Sequence, residues 1–257
     1  MRLGIHRKDP VAKLKPERTD RFPVVRFLSP AEEDRLMAAL DAREERLREE
    51  RDRANAWRRE RGYAELPDLR AVPFADLLKV VVLVSLNTGC RRNEVFSLQW
   101  RDVDLDRGFL SVRGESAKSG ATRHVPLNQC LRDALADWKA QTTGQGGLVF
   151  PTPKTGGKLD NLNSSWRALL KAAQIEHFRW HDQRHHFASK LVMAGASLNS
   201  VRALLGHASM TTTVRYAHLS NEHLIGVVEL LDRPANVVAF TGRAQEPAAT
   251  TGEKTTP

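Results

Sequence analysis

Six residues of this chain could do chemistry together, and they fall in a fixed order: Arg91, Lys118, His181, Arg184, His207 and Tyr216. Tyrosine is scarce, with only Tyr63 and Tyr216, and Tyr216 sits in the polar run Thr211-Thr-Thr-Val-Arg-Tyr216-Ala-His218, an unusual setting for a core residue. It follows Leu205-Gly206-His207 by nine positions. His181 and Arg184 stand one helical turn apart in His181-Asp182-Gln183-Arg184, so they share a face. Arg91 follows Thr88-Gly89-Cys90 and opens a helix that carries Glu94. A cation in a helix's first turn opposes the dipole, which points to a bound anion. Each signal alone has a plainer explanation: a surface ion pair, a packed phenol, a solubilising lysine at a turn.

The elements that must position these groups can be read from pattern. Ser29-Pro30-Ala31-Glu32 starts a helix, with Ser29 as N-cap and Pro30 at the first helical position. Leu36, Leu40 and Leu47 form its apolar stripe until the charged run Arg43–Arg61, where Glu44/Arg48 and Glu49/Arg53 fall at i,i+4 and predict a long solvated helix. The basic excess there, with Trp57, gives a weaker indication of contact with DNA phosphates. Phe74–Leu86 is apolar almost all round and predicts a buried helix, and Arg91–Trp100 a short one after the Thr88-Gly89 turn. Phe109–Arg113 and Thr122–Pro126 read as a hairpin whose tip carries Lys118, and Leu148–Phe150 as a short strand among glycine-rich loops. Helical patterns follow at 128–140, 160–173, 182–194, 197–205 and 219–231. The fold class is therefore mainly α with a small antiparallel β-sheet (α+β). The domain reading is a basic arm or linker over 1–26, a folded domain over 27–233 that carries all six residues, and a flexible tail over 234–257.

Composition narrows the partners. Of 257 residues, 41% are hydrophobic and 28% charged, which excludes a wholly disordered chain, and the formal net charge of +9 favours a polyanion. Cys90 and Cys130 are too few for a disulfide scaffold or a cysteine-rich zinc site. No apolar run is long enough for a membrane span or signal core, which leaves a soluble cytoplasmic protein as the expectation, with no membrane partner. Asp102, Asp104 and Asp106 alternate like a metal ladder, but they lack the glycine and terminal glutamate of a calcium loop and read as turn and cap residues. No metal site and no nucleotide-binding glycine loop is found.

The Thr-Gly-x-Arg-x-x-Glu box at Thr88–Glu94, the Lys-x-x-x-x-Arg-x-Val-Pro-Leu hairpin at Lys118–Leu127, the His-x-x-Arg pair and the Leu-Gly-His…Tyr box together resemble the catalytic domain of the tyrosine recombinase (phage integrase) family, over roughly Leu28–Leu231. The resemblance implies a site-specific recombinase acting on double-stranded DNA as a homotetramer, without a cofactor. Tyr216 would be the nucleophile that forms a 3′-phosphotyrosyl bond and releases a 5′-hydroxyl. Arg91 and Arg184 would clamp the scissile phosphate, where planar guanidinium groups can each hold two oxygens. Lys118, the only lysine between Lys79 and Lys139, would protonate the leaving 5′-oxygen. His181 would act as acid and base toward the tyrosine, His207 would bond the phosphate, and Glu94 would orient the cluster. His185 and His186 read as packing or supporting residues, and His124, His177 and His218 have no assigned role.

Two departures stand out. Gln183 replaces the leucine common in the family between Asp182 and Arg184. The family's N-terminal core-binding domain is not found, so the expectation is an excised catalytic fragment or a truncated member. The alternatives are a non-catalytic DNA-binding remnant and a type IB topoisomerase-like relaxase. The stretch Asn236–Phe240 fits equally a segment that packs on a neighbouring protomer and a frayed terminus.

Overall fold

The computed structural model describes residues 25–114, 122–142 and 147–220. The 1–24 part of the arm, the helical pattern beyond Ser220 and the whole 234–257 tail lie outside the described residues.

Helix α1 (Pro30–Glu60) begins as its sequence predicts. Ser29 Oγ accepts from the Glu32 N–H at 3.3 Å while the Glu32 carboxylate accepts from the Ser29 N–H at 2.9 Å, a reciprocal capping box. Only its first half packs, with Leu36 and Leu40 buried against Leu78, Val82, Leu86, Trp166 and Leu169. Beyond Glu44 it is a charged rod, with Glu44–Arg48 at 3.4 Å and Glu49–Arg53 at 3.8 Å. Residues 61–73 return along this rod without forming a strand. Their backbone is satisfied by side chains instead: Arg48 bonds the carbonyls of Leu69 and Pro73, Arg51 that of Pro67, and Asn55 exchanges two bonds with the backbone of Leu66 at 2.9 and 2.8 Å. The exposed rings of Trp57 and Tyr63 stack at the far end with centroids 5.7 Å apart.

Helix α2 (Leu78–Thr88) is the central pillar, and only Lys79 and Asn87 escape burial. It starts four residues later than its apolar pattern predicts, because Asp76 accepts from the Leu78 N–H at 3.0 Å and is itself held by Arg43. It ends at Gly89, which adopts the left-handed conformation (φ +61°). Helix α3 (Arg92–Phe96) is also shorter than expected. The chain beyond it is drawn toward residues 147–149, with Trp100 N–H donating to the Gly147 carbonyl and Val149 N–H to the Leu98 carbonyl. The Leu148–Phe150 segment therefore makes one isolated bridge, Gln99 with Leu148, rather than a strand.

Strands β1 (Val103–Asp104), β2 (Phe109–Val112) and β3 (Arg123–Pro126) form an antiparallel sheet in the order β1-β2-β3. Leu110 pairs with Val125 and Val112 with Arg123, and all four side chains face inward. Helix α4 (Gln129–Thr142) closes this core, with Leu131, Leu135 and Trp138 packed on one face of α2 and on the sheet. The Asp102–Asp106 ladder is spent on turns: Asp102 is paired with Arg113, and Asp104 accepts from the Arg107 N–H at 2.9 Å. An exposed turn at Thr152–Gly157 follows, with Gly156 at φ +67°.

Helices α5 (Asn163–Ala172), α6 (Asp182–Met193) and α7 (Leu198–Leu205) match the predicted segments within three residues at each end. The short α8 (Thr211–Val214) and a 3-10 turn at Ala217–Ser220 carry the last described residues. The result is mainly α with a small antiparallel sheet, as predicted. No described helix is long and apolar enough to cross a membrane.

Candidate active site

Arg184 is the hub of the site. It projects from the first turn of α6 and is 3% exposed. Its Nη1 donates to the Gly89 carbonyl at 2.7 Å and its Nη2 to the Leu205 carbonyl at 2.6 Å. Both carbonyls belong to helix C-terminal ends, the negative ends of α2 and α7. Each terminal nitrogen keeps a second N–H for an anion. Burial, with Arg91 nearby, lowers this guanidinium to about 10.

Arg91 is placed by Glu94. The Glu94 carboxylate accepts from Arg91 Nη1 at 3.0 Å and from the Arg91 backbone N–H at 2.8 Å. The other partner of Glu94 is a residue the sequence reading leaves without a role. Arg123, on β3, grips the same carboxylate with Nη1 at 3.1 Å and Nη2 at 2.7 Å, and its Nε donates to the Leu204 carbonyl at 2.9 Å. Burial alone would raise the Glu94 carboxyl, but the bonds from Arg123 and Arg91 outweigh it and hold the group below its ordinary value. The signal for Arg123 was in the alternation of the strand, since it sits two positions before inward-facing Val125.

The left-handed turn at Gly206 (φ +65°) brings His207 into the cleft, and a Cβ there would lie 2.8 Å from Arg123 Cδ. His207 Nδ1 is 2.9 Å from Thr213 Oγ1. Burial, with Arg184 and Arg91 adding repulsion, lowers this imidazole to about 3.

Tyr216 closes the site from α8's C-terminal side. It is 1% exposed and packs among Ala188, Val192, Val201 and Leu205. Its hydroxyl lies 2.7 Å from His185 Nδ1. Burial raises the phenol above its ordinary value despite the cations Arg184 and Arg215. The sequence reads His185 as a packing or supporting residue, and the structure places it in contact with the tyrosine. It stands at i+4 from His181, so it shares that residue's face, and the two rings meet edge to face at 5.1 Å. His181 is exposed at the cleft mouth. His186 points away from the cleft, its Nδ1 accepting from the Leu28 N–H at 3.2 Å.

Arg91, His181, Arg184, His185, His207, Arg215 and Tyr216 thus line one cleft of about 510 Å³. Five of the six predicted residues meet there. The sixth, Lys118, lies outside the described residues, although the strands that carry its hairpin tip are in place. A cleft holding three arginines, neutral imidazoles and a buried phenol can bind a phosphate anion and attack it.

The profile of the phage integrase family matches residues 69–223, more than half of the chain. The integrase of Salmonella phage P22 is 35% identical over 159 residues, covering 57% of this chain and 40% of that protein. The tyrosine recombinase XerC of Xanthomonas campestris pv. campestris is 33% identical over 147 residues, covering 56% of this chain and 44% of that protein. The chain thus spans less than half the length of these two relatives. Among solved structures, the fold is similar to that of XerA recombinase (TM-score 0.55, 23% identity, 89% of this chain and 70% of that one). It is also similar to the catalytic domain of bacteriophage HP1 integrase (TM-score 0.53, 24% identity, 82% of this chain and 99% of that one). By matched length and shared fold, this chain belongs to the phage integrase family, as a tyrosine recombinase catalytic domain.

Proposed function

We propose that this domain cleaves and rejoins double-stranded DNA during site-specific recombination, through a covalent bond between Tyr216 and a 3′-phosphate. The observation that carries the reading is the convergence of the Tyr216 hydroxyl, three arginines and three histidines in one cleft. In this reading Arg91 and Arg184 hold the non-bridging oxygens, and both are pre-positioned by bonds to Glu94 and to helix-end carbonyls. His207, neutral at working pH, bonds the phosphate, and His181 stands at the mouth of the cleft. Lys118 protonates the 5′-oxygen. The phosphotyrosyl ester keeps the energy of the broken phosphodiester, so rejoining needs no nucleotide. Work on two duplexes calls for four protomers, one tyrosine per cleaved strand.

The test is covalent capture. The protein is incubated with nicked duplexes of randomised sequence, without metal, and DNA that becomes covalently attached is recovered and sequenced. Adducts that vanish in Tyr216→Phe support the reading. Adducts that survive in Tyr216→Phe, or wild-type protein that gives none while still binding DNA, would overturn it.

A further inference from the structure

We propose that His185 is the group that takes the proton of Tyr216 when its hydroxyl attacks phosphorus, an inference that rests on Tyr216 being the nucleophile. The hydroxyl and His185 Nδ1 are already at hydrogen-bond distance, 2.7 Å, with no rearrangement needed. Among the described residues this is the hydroxyl's side-chain partner, whereas His181 meets only the edge of the His185 ring.

The charged groups that act on the phenol are Arg184 and Arg215, and guanidinium groups carry donors only, so neither can take the phenolic proton. In the proposed step His185 Nδ1 is the acceptor and the imidazole carries its own proton on Nε2. Burial favours the neutral form of both groups: it raises the phenol above its ordinary value and pushes the imidazole down to about 4, so the ring is neutral at pH 7 and has one nitrogen lone pair to take a proton. A phosphate anion bound in the cleft that His185 lines favours the protonated imidazole and raises its pKa back toward the ordinary value, which makes it a better base only when substrate is present.

The step balances without an external reactant other than a general acid. The Tyr216 Oη–phosphorus bond forms as the phosphorus–O5′ bond breaks. The phenolic proton passes to His185 Nδ1, and the 5′-oxygen leaves with a proton from a separate general acid. Transfer to His185 becomes favourable as the ester bond forms, because the phenolic oxygen loses its basicity. Religation runs the same path backwards, and Nδ1 returns the proton.

The chain's two tyrosines make the hydrogen bond directly observable. In protein labelled at tyrosine Cζ, Tyr63→Phe assigns the two carbon signals. The expected result is that His185→Ala shifts the Tyr216 signal, while His185→Asn, whose amide can still accept the bond, shifts it less. The kinetic arm measures single-turnover adduct formation from pH 6.5 to 9 on a duplex recovered by the capture experiment. Wild type should vary little across that range. His185→Ala and His185→Asn should both be slower by roughly 100-fold or more at pH 7 and should gain about tenfold per pH unit, as attack becomes limited by phenolate. A purely structural role would slow His185→Ala equally at every pH and leave His185→Asn near wild type, and that outcome would overturn the proposal. So would an unmoved Tyr216 signal. Wild-type protein without any adduct would fell the recombinase reading and this proposal together, whereas normal wild-type adducts with a pH-independent His185→Ala would fell the proposal alone.

Discussion

Replacing Arg123 with methionine tests how the cleft is held together. In the native fold the Glu94 carboxylate takes four hydrogen bonds, two from Arg123 and two from Arg91, and both members of the Glu94–Arg123 pair are more than nine-tenths buried. Arg123→Met keeps an unbranched side chain of similar length but removes two of those bonds, together with the donor to the Leu204 carbonyl. Removing one partner of a buried ion pair costs about 3–5 kcal/mol. Arg91 remains on the carboxylate, so the expected loss is at the low end, about 3 kcal/mol, or a fall of about 6–12 °C in Tm for a domain of this size. Urea and thermal melts at pH 7.5 measure it. The double variant Glu94→Gln/Arg123→Met should recover at least about 1 kcal/mol, because the stranded charge is gone. A single variant within about 1 kcal/mol of wild type, or a double variant that is simply additive, would refute the argument that this buried pair anchors the site.

Further outcomes follow from the same structure. Gln183 is fully buried, and its amide oxygen and nitrogen have no partner among the described residues. Gln183→Leu should therefore stabilise the domain by about 1–3 kcal/mol in urea melts, and a loss of stability would show that the amide is satisfied after all. Gly206→Ala combines a left-handed backbone, costing about 1–2 kcal/mol, with a Cβ that would lie 2.8 Å from Arg123 Cδ. It should lower stability by about 2–4 kcal/mol and cut adduct yield at least about tenfold; native-like melts would contradict this. His185 and His207 are held at about 4 and about 3, below the ordinary value of 6.5, so the unfolded chain takes up protons first. Their contribution is complete above pH 6.5 and is lost as pH falls toward 4, by at most about 1.4 kcal/mol per unit for each histidine. Urea midpoints that stay constant from pH 7.5 to 5 would rule it out.

What the sequence revealed depended on how local the cause was. The start of α1 was legible because Ser29, Pro30 and Glu32 cap the helix among themselves. The start of α2 was not: Phe74 continues the apolar pattern, and what delays the helix is Asp76, tied to Arg43 thirty-three residues earlier. Leu148–Phe150 has the composition of a strand, yet the neighbour it meets is Gln99, which offers one bridge. In the site, the residue types and their order singled out five residues that the structure brings to one cleft. The supports of Arg184 were invisible, because the Gly89 and Leu205 carbonyls meet only in three dimensions. Arg123 and His185 were within reach of simple periodicity, the first at an inward strand position and the second one helical turn from His181.

The exposed turn at Thr152–Gly157 falls between the two halves of the cleft. Arg91, Glu94 and Arg123 precede it, and Arg184, His185, His207 and Tyr216 follow it. A chain divided there would carry Arg91 without Tyr216 in one piece and Tyr216 without Arg91 in the other. Reassembly would depend on α6 docking against α2, which seats Arg184 under the Gly89 carbonyl. The cleft, and with it the strand cleavage proposed above, could then be made conditional on bringing two separately expressed polypeptides together, with neither piece holding a complete cleft while alone.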